Sequence, residues 1–194
     1  MFKDVSRETF KSIDLYRKFL LQWNQKFNLI SRNSQYLLSE HIEDAMSLME
    51  HISCQSISLM DLGSGNGMPG LILSILGVTN VTLIESSKKK TSFLLQAKKF
   101  SKNNIFIFNE FITYKNQLEC DILVSRAYGK LEKILYDTQN FFVKDKYLLI
   151  KGQNLLNEIS SAQENWNFEY KIHDIKKRDF TKILELKNLS LKKR

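Results

Sequence analysis

Between residues 13 and 27 apolar side chains recur at spacings of three and four: Ile13, Tyr16, Leu20, Trp23 and Phe27. That period places all five on one stripe of a helix, which accounts for Trp23 and Phe27 as core residues rather than base-stacking platforms. A second stripe, Leu38, Ile42, Ala45, Met49 and Ile52, repeats at four and three. Asn33 and Ser34 stand between the two where a helix cap is wanted. Residues 1–54 therefore read as a helical extension, ahead of a core over residues 55–194. From Ile57 the period changes, and short Ile, Leu and Val runs alternate with helical stretches. Such alternation is the mark of βα units around a buried parallel sheet. Strands are expected at 58–61, 81–85, 105–108, 121–124 and 147–151, with helices between them. Two more, at 169–173 and 182–187, read as an antiparallel hairpin closing the sheet edge. The pattern predicts an α/β, Rossmann-like fold.

Composition narrows the partners. Over 194 residues Lys plus Arg number 29 against 21 Asp plus Glu, a net charge of +8, which favours a polyanion and above all nucleic acid. The charge is uneven. Residues 171–194 hold nine Lys or Arg and three acids, +6 of the total, and Lys88, Lys89, Lys90, Lys98, Lys99 and Lys102 form a second basic stretch. Cys54 and Cys120 share no metal or redox spacing, and the N-terminal MFKDVSRETF lacks an apolar signal core, so a cytoplasmic protein without a membrane span is expected.

The segment SLMDLGSGNGMPG, residues 58–70, carries the chemistry. A buried strand ends at Asp61 and is followed by Gly63, Gly65, Gly67 and Gly70. Glycines at a strand-to-helix turn let a ligand approach the backbone closely, and Pro69 suits the first helical turn. Gly65, Gly67 and Gly70 also satisfy GxGxxG, so a nicotinamide cofactor is compatible with the pattern. Asp61 argues for S-adenosylmethionine (SAM) instead, because a carboxylate would repel a diphosphate but attract ammonium and sulfonium charge. Glu85 ends the second strand 22 residues after Gly63, where a carboxylate can accept both ribose hydroxyls of an adenosine.

WNQKFNLI at 23–30, EHIEDA at 40–45, DLGSGNGMPG at 61–70, DILVSRAYGKL at 121–131 and YLLIKGQ at 147–153 together resemble the bacterial small-subunit rRNA guanine-N7 methyltransferases, the RsmG or GidB family. The resemblance runs along nearly the whole chain. It implies a class I SAM-dependent methyltransferase fold of about seven strands and methyl transfer to N7 of guanosine 527, in the 530 loop of 16S rRNA. It further implies that Gly63 and Met68 contact SAM, that Phe111 and Ile112 border the adenine, and that Arg126 reaches the active site with Lys151 at a strand end beside it. The implied partner is 16S rRNA or the assembling 30S subunit. The chain departs from the family pattern where Ile112 replaces a frequent acidic residue, where Ala45 takes the final place of HIxDS, and where Thr181 and Lys182 replace an Arg-His pair.

Guanine N7 keeps an in-plane lone pair at neutral pH and needs no general base, so the absence of an acid/base constellation is expected. Amino methylation through an Asn-Pro-Pro-Tyr-like loop and cytosine-C5 methylation through Pro-Cys both require prolines, and Pro69 is the only one. At the end of the fourth strand, Arg126 can donate to guanine O6 or a phosphate. His41 and Asp44 share a helix face, read here as polar packing near the cofactor. His51 and His173 have no ligand spacing, so no metal is expected, and nothing resembles a dimerisation seam, so a monomer is expected. The alternative to rRNA methylation is SAM-dependent methylation of another RNA or of a small molecule.

Overall fold

The computed structural model describes residues 5–192. Helix α1 (Arg7–Phe27) opens on Ser6, whose Oγ accepts from the Thr9 N–H at 3.1 Å, and stops where Asn28 turns left-handed at φ 51°. Its stripe faces inward as the period predicts. Ile13, Tyr16 and Leu20 are buried, while Trp23 packs edge-on to Phe93, 5.6 Å between ring centroids. A short α2 (Arg32–Tyr36) precedes the second stripe, which is divided between α3 (Leu38–Ser47) and a 3-10 turn, Leu48–His51, with Ile52 just beyond it. Its cap differs from expectation: Ser31 Oγ accepts from the Ser34 N–H at 3.1 Å, so the serine one turn earlier does the capping.

The core continues with β1 (Ser58–Leu62), α4 (Gly70–Ile75), β2 (Asn80–Ile84), α5 (Lys88–Ala97), β3 (Asn104–Phe108), β4 (Glu119–Arg126), α6 (Leu131–Asp137) and β5 (Phe142–Lys151). It ends with α7 (Leu155–Asn165), β6 (Trp166–Asp174) and β7 (Lys182–Leu191). The strands form one seven-stranded sheet in the order β3-β2-β1-β4-β5-β7-β6. The first five run parallel, and β7 pairs antiparallel with both β5 and β6. All seven expected strands are present, and β4, β5, β6 and β7 are longer than their apolar runs.

Two apolar layers enclose the sheet. On one face Leu59, Val81, Val124, Leu148 and Ile183 join the buried side chains of the N-terminal helices, α4 and α5 in a single cluster. The other face, with Leu62, Leu123, Leu149 and Leu184, packs beneath α6 and α7. The helical extension thus shares its core with the sheet. Strand order reverses between β1 and β4, which leaves a crevice beyond their C-terminal ends, where open α/β sheets bind ligands. Among the described residues no helix is long and apolar enough to cross a membrane.

Candidate active site

Gly63 follows β1 at φ +74°, and a Cβ there would lie 2.5 Å from the Tyr128 ring, so only glycine lets that ring lie against the backbone. Gly65 is also left-handed, at φ +56°, but a Cβ there would meet nothing closer than 3.8 Å. The loop therefore presents an open cradle on that side. Glu85 secures it: one carboxylate oxygen accepts from the Gly65 N–H at 2.9 Å and the other from the Ser87 N–H at 2.7 Å. Each oxygen keeps a lone pair for a further donor such as a ribose hydroxyl. From the helical extension, the fully buried Tyr16 donates its hydroxyl to the Asn66 carbonyl of the same loop at 2.7 Å.

A cleft of about 200 Å³ opens beside this loop, lined by Gly63, Glu85, Lys90, Phe111, Ile112 and Tyr128 among others. Of the sequence-derived candidates, four meet here: Gly63, Glu85, Phe111 and Ile112. Phe111 is exposed, and Ile112 is buried at the cleft wall. Where Ile112 departs from the family's acidic preference, Glu110 lines the same cleft two residues earlier and supplies a carboxylate.

The remaining candidates are placed differently. Asp61 is fully buried beneath the loop, not in the cleft: Oδ2 accepts from the Gly70 N–H at 2.9 Å, and Oδ1 has no hydrogen-bond partner. Burial pushes its carboxyl up to about 7. The direct charge attraction expected of Asp61 is thereby replaced by an anchoring role, holding the first residue of α4. Gly67 backs onto Leu71 and Leu94, and the Met68 side chain lies in the core. Lys151 is also committed elsewhere. Its ammonium donates to the Gly129 carbonyl at 2.9 Å and pairs with Glu158 at 2.5 Å, while Glu158 accepts from the Leu131 N–H at 2.8 Å. In these contacts Lys151 braces the segment that follows β4.

Arg126 ends β4 with one-fifth of its side chain exposed, and its Nη2 lies 3.9 Å from the buried Asp44 Oδ2 of α3. Asp44 is shared. Arg178, from the β6–β7 loop, donates from Nε to Asp44 Oδ1 at 3.1 Å and from Nη2 to Glu43 at 3.0 Å. Arg178 thus leaves the basic C-terminal run to tie the hairpin to the extension, and the run's last two residues lie outside the described chain. Burial, with Arg126 and Arg178 nearby, lowers the His41 imidazole to about 4, so it is neutral at pH 7. This matches the polar face expected of His41 and Asp44. Tyr16 was legible only as a stripe residue, and Glu110, Tyr128 and Arg178 gave no sign of their place at the site; only the GxGxG loop and strand-end positions carried a local signal.

The crevice, glycine loop and strand-end carboxylate define a Rossmann-like adenosine-binding site, and the family match over residues 9–184 makes its owner a SAM-dependent methyltransferase. The fold overlays a ribosomal protein L11 methylase from Lactobacillus delbrueckii subsp. bulgaricus with a TM-score of 0.62 at 12% identity, covering 76% of this chain and 78% of the other. It overlays a TehB-like SAM-dependent methyltransferase from Corynebacterium glutamicum with a TM-score of 0.57 at 13% identity, covering 80% and 94%. Residues 9–184 match GidB, rRNA small subunit methyltransferase G, and the chain belongs to that family. It is 42% identical over 187 residues to "Ribosomal RNA small subunit methyltransferase G" of Rickettsia prowazekii (strain Madrid E), covering 96% of this chain and 97% of the relative.

Proposed function

We propose that this protein methylates N7 of guanosine 527 in the 530 loop of 16S rRNA, using SAM. The match to the family over residues 9–184 carries the reading, and the site's chemistry agrees with it. When bound, SAM supplies a methyl group made electrophilic by its sulfonium. The residues present suit that group: Glu85 offers acceptor capacity for ribose hydroxyls, Glu110 and Phe111 line the cleft for the base, and the cradle at Gly65 leaves room beside the backbone.

Guanine N7 carries no proton at neutral pH, so the protein has only to position it. Proximity and orientation of this kind supply roughly 7 to 11 kcal/mol in favourable cases. Arg126, partly exposed beside Asp44, is the group proposed to donate to guanine O6 or to an adjacent phosphate. Asp44 and Arg178 fix its direction. The exposed Lys88, Lys89, Lys98 and Lys99 offer phosphate contacts, which predicts an affinity that falls with salt. Acting on ribosomal RNA, the protein is assigned to the cytoplasm, as a monomer.

The deciding experiment probes 16S rRNA for N7-methylguanosine by reduction and aniline cleavage, in cells with and without the gene. Loss of cleavage at position 527 on deletion is expected, and persistence of the mark removes the assignment. Titration with SAM and with NAD tests the cofactor separately, with binding expected for SAM alone.

A further inference from the structure

Three residues with no sequence spacing to connect them meet on the sheet face that carries the helical extension. His51 ends the 3-10 turn Leu48–His51, His173 lies in β6 and Glu185 in β7. The two imidazole centroids are 4.2 Å apart with planes tilted by 37°, and His173 Nε2 is 3.2 Å from Glu185 Oε2. One ligating atom from each residue lies within 4.8 Å of the other two, and no other three His, Cys, Asp or Glu among the described residues come together in this way. We propose that His51, His173 and Glu185 form a binding site for a divalent transition metal of the zinc type, which lashes the helical extension to the terminal hairpin.

The donor set decides the class of ion. Two imidazoles and one carboxylate suit Zn²⁺ and its neighbours, whereas Mg²⁺ and Ca²⁺ take oxygen ligands. Tetrahedral Zn²⁺ with bonds near 2.0–2.1 Å separates its ligand atoms by about 3.3 Å, so rotamer adjustments of about an ångström close the triad. His173 and Glu185 retain 27% and 12% of side-chain exposure, enough for an ion to enter and for water to fill a fourth position. His51 is half-buried between the two elements, so its ring is held beside His173 and Glu185 by packing. Apolar side chains occupy the same sheet face at Leu148, Ile150 and Ile183, so core packing alone does not call for a polar triad here. Glu50 and Lys146 are the other charged groups facing His51.

The test uses the full chain, stripped with a chelator and titrated with Zn²⁺ by calorimetry and with Co²⁺ by visible absorption. One equivalent is expected to bind, with d–d bands for Co²⁺ and a melting temperature raised by about 5–10 °C at a hundredfold excess over Kd. His51→Gln and His173→Gln are each expected to weaken binding by more than about tenfold. Glu185→Gln, which keeps the side chain's shape, serves where a histidine variant fails to fold. Cys54→Ser, which removes the exposed thiol nearest in sequence to His51, is expected to bind as the parent does. Absence of binding to the unaltered chain overturns the site, as do folded His51→Gln or Glu185→Gln chains with parental affinity, or loss of binding on Cys54→Ser. None of these outcomes depends on the methylation assignment.

Discussion

The hydroxyl of Tyr16, halfway along α1, donates to the carbonyl of Asn66 in the glycine loop across 2.7 Å, and Tyr16 is fully buried. The N-terminal helices therefore do more than cover the sheet: one of them holds the cofactor loop from behind. From the other side Glu85 holds the same loop at the Gly65 N–H. A backbone cradle gripped in this way loses little entropy when a ligand arrives.

Tyr16→Phe removes one donor and leaves the Asn66 carbonyl without its partner. A loss of about 1–3 kcal/mol in stability is expected from urea unfolding. SAM affinity measured by calorimetry should fall severalfold, because the loop loses its prop. Unchanged affinity would return Tyr16 to the role of a core residue alone.

Gly65→Val places a β-branched side chain at φ +56° and fills the open side of the cradle. SAM binding should disappear while the far-UV circular dichroism remains that of the parent. Retained binding would show that the cofactor takes another route past the loop.

Arg126→Ala is expected to lower methyl transfer by about a hundredfold, the scale on which misplacing a bound nucleophile by about an ångström acts. SAM affinity and melting temperature should change far less. Normal turnover on 30S subunits would place Arg126 among the structural residues.

Asp61→Asn tests the buried carboxyl. Its folded value near 7 lies above the ordinary 3.8, so between those values the native state binds more protons than the unfolded chain. Stability from this group is full below about 4 and is lost as pH rises towards 7, by on the order of a few kcal/mol. The Asn variant should gain relative to the parent as pH rises over this window in chemical denaturation. A constant difference from pH 4 to 8 contradicts the assignment.

Lys151→Met leaves Glu158 without its cation. Breaking a buried pair costs about 3–5 kcal/mol, and the 21% exposure of Glu158 places this case below that range. Lys151→Met with Glu158→Leu should recover part of the loss. If Lys151→Met instead spares stability and abolishes turnover, the lysine touches the substrate.

Much of the fold was legible along the chain. Apolar residues at helical and strand periods located α1 and all seven strands, because periodicity reports which face of a local element is buried, and burial dominates folding energy. The glycine loop was equally plain, since backbone approach to a ligand constrains residue type directly. The directions of individual polar side chains were not legible. Asp61 at a strand end looks the same whether it faces the crevice or the α4 N-terminus, and Lys151 beside Arg126 in an adjacent strand gives no hint of Glu158 on the next helix.

Local sequence thus settled the elements, their buried faces and the place of the ligand loop, since these depend on backbone conformation and on hydrophobicity read a few residues at a time. The partners of each charged and polar group were settled by the assembled sheet. Its order brings Tyr16 to Asn66, Asp44 to Arg126 and Arg178, and His51 to His173 and Glu185. Hydrogen bonds and ion pairs act over about 3 Å in space whatever the separation in sequence, so chain folding alone creates them.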